Sequence, residues 1–71
     1  MQRITIRLFS GVIVGYYDID DSGNKTVRAF TGEILGYYEK KRDATTDFHR
    51  RIIAYGDVTG LFFQDKISIR F

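Results

Sequence analysis

The sequence predicts an all-β single domain built from three to four hairpin-like pseudo-repeats of about 20 residues around a common axis, with its terminal strands paired. Three observations predict it. Eleven aromatic residues and nineteen Ile, Val and Thr make 30 of the 71 positions strand formers. The chain also matches itself at regular offsets. Finally, its two ends share one alternating pattern.

The elements follow in chain order. Arg3-Ile4-Thr5-Ile6-Arg7-Leu8 alternates strictly between polar and apolar, as a half-buried strand does. Residues 9–18, Phe9-Ser10-Gly11-Val12-Ile13-Val14-Gly15-Tyr16-Tyr17-Asp18, form the first copy of the motif. Asp20-Asp21-Ser22-Gly23-Asn24 is a turn, and residues 25–30 are the strand that leads onward. The second copy, Phe30-Thr31-Gly32-Glu33-Ile34-Leu35-Gly36-Tyr37-Tyr38-Glu39, lies 21 residues after the first. Lys40-Lys41-Arg42-Asp43 reads as a polar loop, and residues 45–48 as another leading strand. A helix over 37–51 is rejected, because Tyr37, Tyr38, Ala44 and Phe48 do not recur at 3.6. The third copy, residues 48–57, follows 18 residues after the second, with Arg50 and Ala54 replacing its glycines. Residues 58–65 read as a fragment of a fourth. Lys66-Ile67-Ser68-Ile69-Arg70-Phe71 repeats the alternation of the first strand, and pairing the two would remove exposed sheet edges.

Strict alternation within each copy places Ile13, Gly15 and Tyr17 on one face, with Ile34, Gly36 and Tyr38 and then Ile52, Ala54 and Gly56. Tyr16, Tyr37 and Tyr55 fall on the other, beside Arg51. The structural positions of the motif are therefore Gly11, Gly15, Gly32, Gly36, Ile13, Ile34 and Ile52. A small residue at one level of each copy predicts backbones crowding together there.

The recurring Phe-x-Gly-x-Ile-x-Gly-Tyr-Tyr-Asp unit resembles the four-fold beta flower family of small, largely uncharacterised bacterial proteins. The resemblance implies four hairpin-like repeats about a central axis and an association with mobile elements. It brings no catalytic or ligand residues with it.

The chemistry is sparse. Cysteine is absent, there is one histidine, and the net charge is +2. That composition excludes disulfide scaffolds, zinc ribbons and thiol catalysis. No apolar stretch approaches the roughly 18 residues of a membrane span, and the N-terminus lacks a signal peptide's apolar core. The expected setting is the cytoplasm, with no membrane partner. Asp18, Asp20, Ser22 and Gly23 occupy EF-hand-like positions, but Ala29 stands where the bidentate Glu belongs, so no metal is expected. His49 has Asp47 and Asp57 near it but no nucleophile to serve, and the glycines match no phosphate loop, so neither catalysis nor a cofactor is expected. The expected role is a non-enzymatic protein-interaction or self-assembly module, most simply a homodimer, since a chain this short has marginal stability alone. The alternative is nucleic-acid binding through Tyr16, Tyr37 and Tyr55 with the basic segment of Lys40, Lys41, Arg42, Arg50 and Arg51.

Overall fold

A computed structural model describes residues 1–63. Six strands, β1 (Gln2–Arg7), β2 (Ile13–Ile19), β3 (Lys25–Ala29), β4 (Ile34–Glu39), β5 (Ala44–Asp47) and β6 (Ile52–Tyr55), form one antiparallel sheet in chain order. A 3-10 helix, Thr59–Phe63, follows and packs on one face. The described residues are all-β apart from that short helix. The sheet is an open meander, with β1 and β6 as its edges and no common axis visible among the described residues. The expected partner of the first strand, residues 66–71, lies outside the described residues.

Four of the five hairpins turn the same way. In the 8–12, 20–24, 29–33 and 47–51 turns the first residue's carbonyl accepts from the fourth residue's N–H, and its own N–H donates to the fifth residue's carbonyl. The fourth residue has positive φ in each: Gly11 at 93°, Gly23 at 88°, Gly32 at 98° and Arg50 at 65°. This is the three-residue hairpin loop, a type I turn closed by one left-handed residue. The β4–β5 turn differs: Glu39 pairs with Ala44 and leaves four residues between, closed by the Asp43 N–H to the Lys40 carbonyl with Asp43 at φ 48°, while the Lys40 N–H donates to Asn24 Oδ1 at 3.0 Å and ties two turns together. Asp20 and Asp47 reinforce their turns, each accepting at 2.9 Å from backbone N–H groups two and four residues on.

The strands do not alternate strictly. Register shifts leave Val14, Leu35 and Ile53 as extra residues, so Arg7 faces Ile13, Arg28 faces Ile34, and Thr46 faces Ile52. A bulge adds one residue to one strand and so reverses the facing of everything beyond it. Ile13, Ile34 and Ile52 therefore do not share the face of Gly15 and Gly36; they stand with Tyr16 and Tyr37, and Ile34 and Ile52 are largely open. Val14 and Leu35 enter the core in their place, with Val27, Ile6, Leu8 and Tyr17.

Of residues 58–65, where a fragment of a fourth copy of the motif is expected, 64 and 65 lie outside the described residues and the 3-10 helix occupies most of the rest. Its start is built by Asp57, whose Oδ1 accepts from the Thr59 N–H at 3.2 Å and from its hydroxyl at 2.6 Å. Thr45 Oγ1 accepts from the Val58 N–H and donates to the Gly56 carbonyl. The helix then drops two rings onto the sheet. Phe63 is 2% exposed and lies edge-on to Tyr17 with ring centroids 6.2 Å apart.

These rings explain the small residues. A Cβ on Gly15 would meet the Phe63 ring (Cζ at 2.7 Å) and the Arg28 carbonyl; one on Gly36 would meet the Phe62 ring (Cε2 at 2.9 Å) and the Thr46 carbonyl. At each glycine the space is closed by a ring from the helix and by the carbonyl of the neighbouring strand, and no convergence of several strands on one axis is involved among the described residues. Gly15→Ala and Gly36→Ala should each lose about 1–3 kcal/mol in urea unfolding. Gly60→Ala, with open space around it, should stay within about 0.5 kcal/mol. Equal losses at all three would show that backbone freedom, and not ring seating, sets the requirement for glycine.

Candidate interaction surface

The face opposite the 3-10 helix is polar and cross-linked. Asp18 on β2 is the shared partner of two arginines, its side chain only 12% exposed. Arg3 reaches it with two bonds, at 2.7 and 3.0 Å, and Arg28 Nε with a third at 2.9 Å. The Arg3 bond, with help from Arg28, holds the Asp18 carboxyl below its ordinary value against the opposing effect of burial. Arg28 also donates to the Gly32 carbonyl at 2.9 Å.

Register does place Tyr16 and Tyr37 on this face, opposite Arg28 and Thr26. Neither ring is free. The Arg3 guanidinium sits 4.8 Å from the Tyr16 centroid, and that of Arg50 sits 4.1 Å from Tyr37. Tyr55, opposite Ala44, is 76% exposed. The basic residues do not form one patch. Lys40, Lys41 and Arg42 lie in the β4–β5 turn and Arg50 and Arg51 beside the β5–β6 turn, at opposite ends of β5. Arg42 pairs with Glu39, and Arg51 with Asp47 at 3.4 Å.

On the helix-covered face a second network anchors the 3-10 helix. Lys25 Nζ lies 2.5 Å from Asp57 Oδ2 and 5.1 and 5.8 Å from the Tyr17 and Tyr38 centroids. The Thr59 hydroxyl is 3.1 Å from the Tyr17 hydroxyl. Burial pushes the Asp57 carboxyl up, yet Lys25 and the Thr59 hydroxyl and N–H together hold it below its ordinary value. The Tyr38 hydroxyl donates to Asp43 at 2.6 Å, which raises the phenol. His49 is at a turn tip, its ring 3.9 Å from that of Phe48, and Asp47 is committed to backbone N–H groups. Among the described residues no cluster of three metal-binding side chains exists.

The open apolar surface is elsewhere. Phe9, Phe30 and Phe48 are the second residues of the 8–12, 29–33 and 47–51 turns, and so all three stand at one end of the sheet. They are 110%, 59% and 58% exposed. Successive tips are two strands apart, about 10 Å. Behind them is a groove of about 250 Å³, lined by Val14, Ala29, Phe30, Leu35, Phe62 and Phe63 with Thr31 and Glu33. Sequence reasoning did not single these phenylalanines out as a surface. The signal was present, because Phe opens every copy of the motif; two residues before a turn glycine is a tip, not a strand interior.

Comparison of the chain with protein-family models, curated proteins and solved structures finds no match.

The carboxylates define the acid behaviour. Asp18, Asp47 and Asp57 all ionise below the ordinary value of 3.8 when folded. The unfolded chain therefore binds more protons in that range, and stability rises with pH through it. Their contribution is complete above about pH 5 and is lost as pH falls toward 2. The urea midpoint should be flat from about pH 5 to 8 and drop below that, with a shallower drop in Asp18→Asn. An unchanged acid limb in that variant would remove the Arg3–Asp18–Arg28 bonds as its source.

Proposed function

We propose that the protein is a non-enzymatic, self-assembling interaction module of the cytoplasm that docks through the end of its sheet carrying Phe9, Phe30 and Phe48. The observation that carries this reading is the exposure of those three rings at one end of the sheet of a thin molecule, 17 Å in its shortest dimension. Among the described residues the buried hydrophobic side chains are only Val14, Val27, Ala44 and Phe63. A second apolar surface is what so small a core lacks, and association supplies it. The pseudo-repeats, and the likeness to the four-fold beta flower, belong to the same reading: equivalent hairpins offer equivalent tips, so one contact surface is displayed three times.

A homodimer is the favoured state. Light scattering behind size-exclusion chromatography should give twice the chain's 8.3 kDa at micromolar concentration. The combined Phe9→Ser, Phe30→Ser, Phe48→Ser variant should run as a folded monomer, checked by circular dichroism. A wild-type chain that is monomeric throughout this range overturns self-assembly.

A second reading is carried by Tyr55. Its ring is open, and the turn bearing Lys40, Lys41 and Arg42 leads directly into its pairing partner Ala44. In this reading single-stranded nucleic acid stacks on Tyr55 and runs along the face of Tyr37 and Tyr16, its phosphates neutralised by the turn. Retention on immobilised single-stranded DNA should then fall steeply with salt and fall again in Tyr55→Ala. Retention indifferent to salt removes this reading.

A further inference from the structure

We infer that the sheet face opposite the 3-10 helix is an oblique track for a single-stranded nucleic acid, with one base stacked on the Arg50 guanidinium. This rests on the nucleic-acid reading and gives it a path and an anchor. The path follows from register. Tyr55 pairs with Ala44, and Tyr37 with Thr46, two residues on. Tyr37 also pairs with Thr26, and Tyr16 with Arg28, again two residues on. Each tyrosine is therefore two strands and one same-face step from the next, and the three lie on one diagonal. Tyr16 pairs with Thr5, so the next step along the same line, on β1, reaches Arg7. From Tyr55 to Arg7 the diagonal is on the order of 30 Å long.

Charge follows the same line. Among the described residues, Arg7, Lys40, Lys41 and Arg50 are the lysines and arginines with no carboxylate in ion-pair reach. Lys40 and Lys41 stand in the turn beside the Tyr55 end, Arg50 reaches the middle at Tyr37, and Arg7 is at the far end. The carboxylates on or beside this face are already engaged. Asp18 is held by Arg3 and Arg28, Glu39 by Arg42, and Asp20 by the N–H groups of Ser22 and Asn24. A polyanion laid along the diagonal meets free cations and matched acids.

Arg50 is the anchor because a side chain stands there at a cost. Its φ of 65° is the left-handed conformation that Gly11 and Gly32 supply in the other two copies. The guanidinium lies 4.1 Å from the Tyr37 centroid, and the residue is exposed. Guanidinium planes and aromatic rings both stack nucleobases. Beside them is a polar depression of about 160 Å³ whose walls include Asn24, Thr26 and Glu39, which offer donors and acceptors to a base edge.

Fluorescence anisotropy of a labelled oligodeoxythymidine of about 12 residues, titrated with the full chain, tests this. Four neutralised phosphates give a slope of about −2.8 in log K against log salt between roughly 50 and 200 mM. Arg50→Gly should not lower the urea midpoint, because glycine suits this turn, yet it should weaken binding about tenfold or more and make the slope shallower by about 0.7. Arg50→Lys should keep the slope and still lose about fivefold, since the charge remains and the plane does not. Arg7→Ala should make the slope shallower by the same step from the far end of the track. Binding that Tyr55→Ala weakens but that Arg50→Gly or Arg7→Ala leaves unchanged overturns the track while the nucleic-acid reading stands. Displacement by polyglutamate as effective as by unlabelled oligonucleotide overturns base stacking. No binding at about 50 mM salt overturns track and reading together.

Discussion

Two phenylalanine rings resting on two glycines hold this molecule together. A six-stranded meander has a face to bury and, among the described residues, five residues of 3-10 helix to bury it with. The helix covers so much because Phe63 and Phe62 lie flush against β2 and β4, where Gly15 and Gly36 carry no side chain to keep them off. The bulges are part of the same device. By reversing the facing of Val14 and Leu35, they place two branched side chains beside the rings that strict alternation would have sent to the other side. Asp57, Lys25, Thr45 and Thr59 then fix where the helix begins, and so where its rings land.

Much of the architecture was legible in the residues, and what was missed has physical causes. The strands, the turns and the absence of a long helix between 37 and 51 could be read from β-branched and aromatic content and from the turn residues. Facing could not be read, because a bulge costs a single residue and leaves no compositional mark. Ile13, Ile34 and Ile52 read as core by alternation, yet they stand on the polar face. The glycines were noticed, but their reason was not: a periodic small residue says that something approaches closely, not whether it is a strand or a ring. The 3-10 helix was hidden because Leu61, Phe62 and Phe63 are good strand formers, overridden by the Asp57 and Thr45 contacts at its start.

The candidate surface shows the same division. Tyr16, Tyr37 and Tyr55 do share a face, as their spacing requires. Distance along the chain, however, says nothing of which end of a sheet a turn occupies, and Lys40–Arg42 and Arg50–Arg51 were parted by one short strand. Cations that looked available for a polyanion are partly taken up, Arg42 by Glu39, Arg51 by Asp47 and Arg50 by the Tyr37 ring. The phenylalanines were overlooked for the opposite reason: a conspicuous apolar residue is assigned to a core by default, whereas at the second position of a tight turn there is no core to reach.

The short turns carry a kinetic consequence. Every strand pairs with its neighbours in sequence, so ladder formation closes only short loops and can begin at any hairpin. The Thr59–Tyr17 bond, by contrast, joins residues 42 apart. Among the described residues assembly thus divides into quick local zippering and one distant docking event, and it is the docking event that turns a ribbon of hairpins into a folded body.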